Sequence, residues 1–146
     1  MLVVDPGFEL EAKNRLGRIG FDRVVGFLEH PFVVMADHPN RVRHASRMTA
    51  SEFDERRGDI EGLQLVDIRN PGELEAGVIP GAVAIPVGQL PSRVDELDPG
   101  APTVVYCAGG YRSSVAASVL RQAGFPDVTD ILGGHRVWKE VQAAPA

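Results

Sequence analysis

One cysteine in 146 residues rules out an internal disulfide, so no covalent staple holds this chain together. That scarcity fits a reducing compartment, and a cytoplasmic location is expected. No Lys/Arg run offsets the net charge of −5, which argues against nucleic acid as a partner. Arginines do gather at Arg23, Arg41, Arg43, Arg47, Arg56 and Arg57. Acids and polar residues are interleaved with them, so a solvated surface is the expected reading. No apolar run approaches the roughly 20 residues that cross a bilayer, so no membrane association is expected. No basic stretch followed by an apolar one opens the chain, and no secretory signal is expected. Four histidines (His30, His38, His44, His135) without a cysteine pair form no metal-ligand cluster, so neither a metal nor another cofactor is expected. A hydrophobic content of 44% at this length suits one globular domain with room to spare.

The single cysteine stands in the segment Val104-Val105-Tyr106-Cys107-Ala108-Gly109-Gly110-Tyr111-Arg112-Ser113-Ser114. An apolar run ends at the cysteine, a glycine-rich loop follows, and an arginine closes the loop before a helical pattern. A lone cysteine at a strand end is ordinarily a small buried hydrophobe. Gly109-Gly110 and a charged Arg112 are hard to reconcile with packing alone, and they favour function. Backbone N–H groups of such a loop can point inward, and the following helix adds the positive end of its dipole. Arg112 brings a permanent cation with a planar fork of donors. These features favour the thiolate, so the Cys107 pKa is expected below that of a free cysteine, roughly 8.5. The result is a nucleophile placed for an anionic substrate.

From Met48 onward strands and helices alternate. Thr49 reads as an N-cap with Glu52 as its capping-box partner. Residues 63–68 read as a strand and Asn70-Pro71-Gly72 as a turn, with a short helix over 73–76. A second strand is expected at 82–86, and a helix over 87–97 with Leu90, Val94 and Leu97 on one face. Thr103-Val104-Val105-Tyr106 is a short strand of the kind covered on both faces in a parallel sheet. A helix over 113–123 stops at Gly124. A last strand follows at 128–132, then Gly133-Gly134 and a terminal helix that buries Trp138. Phe125 is likewise read as core. The alternation predicts an α/β fold with a mainly parallel central sheet flanked by helices on both faces. In such folds ligands sit beyond the carboxyl ends of the strands, where Cys107 is.

Residues 1–47 differ. Residues 12–29 align with 116–133 at a constant offset of 104, with Ala12, Leu16, Gly20, Phe21, Val24 and Leu28 meeting identical residues. Phe27 meets Ile131, a conservative match. Upstream, Leu2-Val3-Val4-Asp5-Pro6-Gly7 mimics the strand before Cys107, but aspartate and proline occupy the nucleophile loop. The chain is read as an internal repeat. Residues 1–29 form a partial, degenerate strand–helix–strand copy, 30–47 a polar linker, and 48–146 the complete domain. A half-domain cannot bury its own core. Residues 1–29 are therefore expected to pack on the complete domain, pair with a second copy of the chain, or meet a fused domain.

The unit from Met48 to Val141 resembles a rhodanese-like sulfurtransferase domain. Four blocks in order carry the resemblance: Leu65-Val66-Asp67-Ile68-Arg69-Asn70-Pro71-Gly72-Glu73-Leu74, Gly77-Val78-Ile79-Pro80-Gly81-Ala82, the loop from Cys107 to Arg112, and Gly133-Gly134 followed by Trp138. The resemblance implies a persulfide on Cys107, loaded from a small sulfur donor and passed to a thiol acceptor or cyanide. It makes Cys107 the catalytic residue, and Ala108, Gly109, Gly110, Tyr111, Arg112 and Ser113 the binding loop. Asp67, Arg69 and Glu73 then act behind the loop, and an ion-pair cluster is preferred for them over direct substrate contact. Val78 departs from the family, which usually has histidine there; a local structural change is expected. Residues 1–47 resemble the region joining a metallo-β-lactamase-like domain to a rhodanese domain in multidomain persulfide-handling proteins. None of the hydrolase's metal-binding histidine motifs is present in this sequence.

Two competing roles follow from the same residues. Phosphatases and arsenate reductases that share the fold also pair a cysteine with an arginine, but a tetrahedral phosphate needs five intervening residues. Here four intervene, Ala108 to Tyr111, giving a tighter ring suited to one sulfur atom. No general acid for a phosphate leaving group presents itself. A non-catalytic or sulfur-relay interaction module is the other class. Arg112 is expected to attract the donor and keep the sulfur ionised, or else to form a structural salt bridge across the loop. Tyr111 is expected to line the mouth or cover the loop edge.

Overall fold

A computed structural model describes residues 1–18, 22–42 and 45–144. Gly20 and Phe21 of the repeat lie outside the described residues, as do Arg43 and His44. The chain forms two units, Met1–His44 and Ala45–Ala146.

The second unit is built on five short strands, β1 (Ser46–Thr49), β2 (Gln64–Asp67), β3 (Ala82–Ala84), β4 (Thr103–Tyr106) and β5 (Val128–Leu132). All four pairings are parallel, in the order β1-β5-β4-β2-β3. Strand β4 is central and buried along its whole length, which explains why its sequence has no polar face. Successive side chains point to opposite faces. Val66 and Val105 enter one core with Leu90, Ala116, Ala117 and Leu120. Leu65, Val104 and Tyr106 enter the other with Ala50 and Phe53, and Val137, Trp138 and Val141 pack against it. Each fully buried Leu or Ile in these cores contributes about 1.5–3 kcal/mol.

Helices α3 (Ala50–Arg56) and α7 (Gly134–Ala143) belong to the second core, and α5 (Leu90–Arg93) and α6 (Tyr111–Gln122) to the first. A short α4 (Pro71–Leu74) follows β2. At α3 the capping box is complete: Thr49 Oγ1 accepts from the Glu52 amide at 3.1 Å, and Glu52 Oε2 accepts from the Thr49 amide at 2.7 Å.

Several local expectations shift. The helix expected over 87–97 is only α5 followed by a 3-10 turn at Val94–Glu96. Pro91 has no amide to donate and fits only a first turn, so helix cannot form ahead of Leu90. The predicted face nonetheless holds, with Leu90 and Leu97 buried and Val94 packed against them. Helix α4 begins at Pro71, two residues before its expected start, because proline is pre-set for that position. Trp138 is half-buried rather than buried: its Nε1 donates to Asp54 Oδ1 at 3.3 Å, which holds one edge of the indole toward solvent.

The first unit holds α1 (Glu9–Gly17) and α2 (Pro31–Asp37). Leu2 pairs in parallel with Phe27 through two backbone hydrogen bonds of 2.8 Å, Leu2 N–H to the Gly26 carbonyl and Leu28 N–H to the Leu2 carbonyl. This pair joins residues 25 apart, the separation that also joins Thr103 to Val128 across β4 and β5. Helix α2 lies within the segment read as a linker, and that segment's last two residues open β1.

Arg47 is therefore more than a solvated surface charge. Its Nη2 meets Asp130 Oδ2 at 2.9 Å and its Nε meets Oδ1 at 3.1 Å, while the Asp130 side chain is 1% exposed. Arg57 likewise donates to the Pro80 carbonyl at 2.7 Å. Removing Arg47 leaves a buried carboxylate without its cation. Arg47→Ala is expected to cost about 1–3 kcal/mol, read as a lower urea midpoint at unchanged slope.

Candidate functional site

Cys107 leaves the carboxyl end of the central strand, and its carbonyl is held from the far side of the loop. The His135 amide donates to the Cys107 carbonyl at 2.8 Å and the Arg136 amide to the Ala108 carbonyl at 3.1 Å. The first turn of α7 thus spends two free N–H groups on the strand end. Such an approach demands glycine: a Cβ on Gly134, at φ +57°, would lie 2.2 Å from the Cys107 oxygen.

The loop then curls around the sulfur. Gly110, at φ +98°, turns its amide onto Cys107 Sγ at 3.1 Å. Ser113 Oγ lies 3.7 Å from Sγ and donates to the Gly110 carbonyl at 3.0 Å. Helix α6 begins at Tyr111, two residues earlier than its pattern suggests, so Tyr111, Arg112 and Ser113 form its first turn. Burial pushes the Cys107 thiol up, but the amides of Ser113, Gly110 and Gly109 and the Ser113 hydroxyl outweigh it, and the net shift is downward. Cys107 is only 2% exposed.

Arg112 is engaged by Glu73. Its Nη1 and Nη2 donate to the two carboxylate oxygens of Glu73 at 2.6 and 2.7 Å, a planar two-point pair. The guanidinium holds the Glu73 carboxyl down at about 2, helped by the Asn70 amide at 3.0 Å and opposed by burial. Of the two roles open to Arg112, this geometry presents the salt bridge across the loop. Tyr111 is 82% exposed at the loop rim.

Asp67 and Arg69 lie beneath. Arg69 Nε donates to Asp67 Oδ1 at 2.9 Å and Nη2 to Oδ2 at 2.5 Å. Further bonds reach the Glu73 carbonyl at 3.2 Å, the Gly77 carbonyl at 2.8 Å and His135 Nδ1 at 3.1 Å. All five guanidinium N–H groups are thereby engaged. Both side chains are buried and neither offers a free group to a substrate. Acceptance from Arg69 places the His135 proton on Nε2, and burial and the Arg69 cation lower its pKa, so the imidazole is neutral at pH 7. The Tyr106 hydroxyl accepts from the Ile79 amide at 3.1 Å. Its phenol is pushed up by burial and by its hydrogen bond to Asp67.

His135 and Tyr106 belong to this network, although the sequence pattern does not mark them as site residues. Signals existed: Gly133-Gly134 precedes His135, and Tyr106 is the one hydroxyl-bearing residue that immediately precedes the cysteine. Val78 is exposed between two anchored neighbours, since the Gly77 carbonyl and Ile79 amide are both bonded inward. Among the described residues, no group of three or more His, Cys, Asp or Glu could hold a metal ion, and no helix is long and apolar enough to cross a membrane.

The parallel sheet carries its cysteine loop at the end of the central strand, and residues 49–141 match the family model of the rhodanese-like domain. The chain belongs to the rhodanese-like family. A "sulfurtransferase" of Allochromatium vinosum is 34% identical over 93 residues, covering 64% of this chain and 87% of the relative. The "thiosulfate sulfurtransferase GlpE" of Pseudomonas aeruginosa is 37% identical over 83 residues, covering 57% and 76%. The crystal structure of a rhodanese-related protein from Thermoplasma volcanium superposes with a TM-score of 0.61 at 29% identity, covering 70% of this chain and 96% of that one. The rhodanese-like domain is thus the second unit, and its fold is all-parallel rather than only mainly so.

Two substitutions test how the loop is held. Ser113→Ala removes the hydroxyl that lies 3.7 Å from Sγ and helps hold the Cys107 pKa down, and it is expected to raise that pKa, read from the pH dependence of alkylation by iodoacetamide. Gly134→Ala is expected to destabilise by more than the roughly 1–2 kcal/mol of a left-handed residue, because the methyl group meets the Cys107 carbonyl. Thermal unfolding measures it.

Proposed function

We propose that this chain is a sulfurtransferase that moves a sulfane sulfur from thiosulfate or a low-molecular-weight persulfide to a thiol or cyanide through a persulfide on Cys107. The observation that carries the reading is the Gly110 amide aimed at Cys107 Sγ, with Ser113 beside it and the thiol shifted toward thiolate. The Cys107 thiolate attacks the outer sulfur of thiosulfate, and the S–S bond breaks with its electron pair leaving on sulfite. Amides from Ala108 to Ser113 stabilise the charge on the resulting persulfide. An acceptor thiolate or cyanide then attacks the outer sulfur and returns Cys107 as thiolate. Atoms and charge balance without an external oxidant or reductant. The names of the relatives, a sulfurtransferase and a thiosulfate sulfurtransferase, support the reading. A phosphatase is disfavoured by the committed Arg112, since a phosphate dianion would find its cation bound to Glu73. An unpaired nucleophilic thiol suits a reducing compartment such as the cytoplasm.

Residues 1–29 belong to the same proposal as a degenerate rhodanese-like copy, with 30–47 as connection and 48–146 as the catalytic domain. The 25-residue spacing of the Leu2–Phe27 pair supports it, because β4 and β5 pair with that same spacing. Helix α1 also falls at 113–121 once the offset of 104 is added, inside α6. Such a copy is suited to pairing with a second chain or with a fused domain, as in the metallo-β-lactamase–rhodanese proteins.

The test is cyanide-dependent thiocyanate formation from thiosulfate and from glutathione persulfide, comparing wild type with Cys107→Ser. Turnover is expected in wild type and is expected to vanish in the variant. Folded protein with an accessible thiol and no turnover from either donor would instead leave a sulfur-relay or interaction module.

A further inference from the structure

The loop's one arginine is already bound. Both Nη groups of Arg112 lie on the Glu73 carboxylate, whose pKa they hold down at about 2, so it is ionised at neutral pH. Glu73 is itself fixed: its Oε2 accepts from the Asn70 amide at 3.0 Å and its carbonyl accepts from Arg69 at 3.2 Å. The carboxylate thus caps the first turn of α4.

The charges around the sulfur then sum differently from what the loop sequence implies. Arg112 is balanced by Glu73, and Arg69 by Asp67. His135 is neutral and Arg136 pairs with Glu140 at 3.2 Å. Lys139 sits farther along α7, with its Nζ 3.5 Å from the Ala76 carbonyl. With Cys107 as thiolate, the two buried or half-buried ion pairs and the sulfur carry one net negative charge. A dianion approaching such a site is repelled by the thiolate, and the loop's own cation, Arg112, is already balanced by Glu73.

We propose that Glu73 is a specificity-determining residue: by clamping Arg112 it withholds the loop cation from dianionic donors and sets the site for sulfane-sulfur donors whose reacting group carries at most one negative charge, such as an alkyl persulfide. This rests on the reading of Cys107 as the sulfur-accepting nucleophile. With a persulfide RSSH, the Cys107 thiolate attacks the terminal sulfur, the S–S bond breaks, and RS⁻ leaves with the electron pair. The proton stays on the new persulfide. With thiosulfate the leaving group is the sulfite dianion, which needs the cation that Glu73 holds.

Two donors of the same reacting bond but different charge isolate the effect: thiosulfate, a dianion that releases sulfite, and methanethiosulfonate, a monoanion that releases methanesulfinate. Initial rates of thiocyanate formation give kcat/KM for each in the full chain. Glu73→Gln keeps an oxygen to accept from the Asn70 amide but removes the charge. It is expected to raise the ratio of thiosulfate to methanethiosulfonate kcat/KM about five- to tenfold, the scale of one partly solvated charge. The gain should come through thiosulfate KM and should shrink as salt is added. Glu73→Asp, which keeps the charge, should stay near the wild-type ratio. Glu73→Gln combined with Arg112→Gln removes both charges and should return the ratio to within about twofold of wild type.

An unchanged ratio in Glu73→Gln, or equal changes for both donors, would overturn the proposal and leave Glu73 a structural anchor. A double variant that selectively loses thiosulfate would also overturn it, because Arg112 would then be serving the dianion in wild type. Transfer from neither donor by wild type would defeat the sulfurtransferase reading itself, and this proposal with it.

Discussion

Arg69 is a cation sealed at 2% exposure beneath the loop, and the cysteine-bearing end of the domain is assembled around it. A buried guanidinium is tolerated only when its charge and all its N–H groups are met. Here Asp67 meets the charge through two bonds, and the remaining donors reach carbonyls of Glu73 and Gly77 and the ring of His135. Those partners come from β2, α4, the turn that follows it, and α7. Four separate segments are thereby fixed to one point, and loss of any acceptor would strand a donor in a dry site. Tyr106, whose ring lies under the guanidinium at 5.6 Å, ties the end of β4 into the same point. Cys107 is the next residue.

From that anchor the thiolate follows by geometry. Helix α7 is held by His135, and its first amides fasten the Cys107 and Ala108 carbonyls. With the loop's carbonyls turned outward to α7, its amides are left to turn inward, and the Gly110 amide finds the sulfur. The stabilisation of negative sulfur thus comes largely from backbone dipoles, joined by the Ser113 hydroxyl, and needs no mobile charge.

How much of this was legible depended on distance along the chain. The Thr49–Glu52 capping box, the buried strand β4 and the Cys107 loop are local patterns, and local physics reads them directly. The helix that failed over 87–97 was also local: Pro91 stood in the middle of the pattern, and its apolar spacing concealed the missing amide. Long-range pairs left no such trace. Arg47 and Asp130 are 83 residues apart, and Arg112 and Glu73 are 39 apart, so the sequence could name the charges but not join them. His135 was counted only as an isolated histidine, because its role depends on a guanidinium brought from β2. The repeat lay between these cases. Its offset is visible in the identities, and the copy proposed from it is supported by the Leu2–Phe27 pair, which has the 25-residue spacing of Thr103 and Val128.

Glu73 links the anchor to the mouth. Its backbone carbonyl answers Arg69 below, while its carboxylate answers Arg112 above. The position of α4 therefore sets two things at once, the burial of one cation and the neutralisation of another. An Arg112 free of Glu73 would make the loop a general anion trap, since amides and a guanidinium together accept any compact oxyanion. With Arg112 occupied, what remains around the sulfur is a set of neutral N–H dipoles, which on the proposed reading favours a singly charged donor over a dianion. The same carboxylate that steadies the loop thus narrows its chemistry, through a contact made by the residue that also holds α4 to the core.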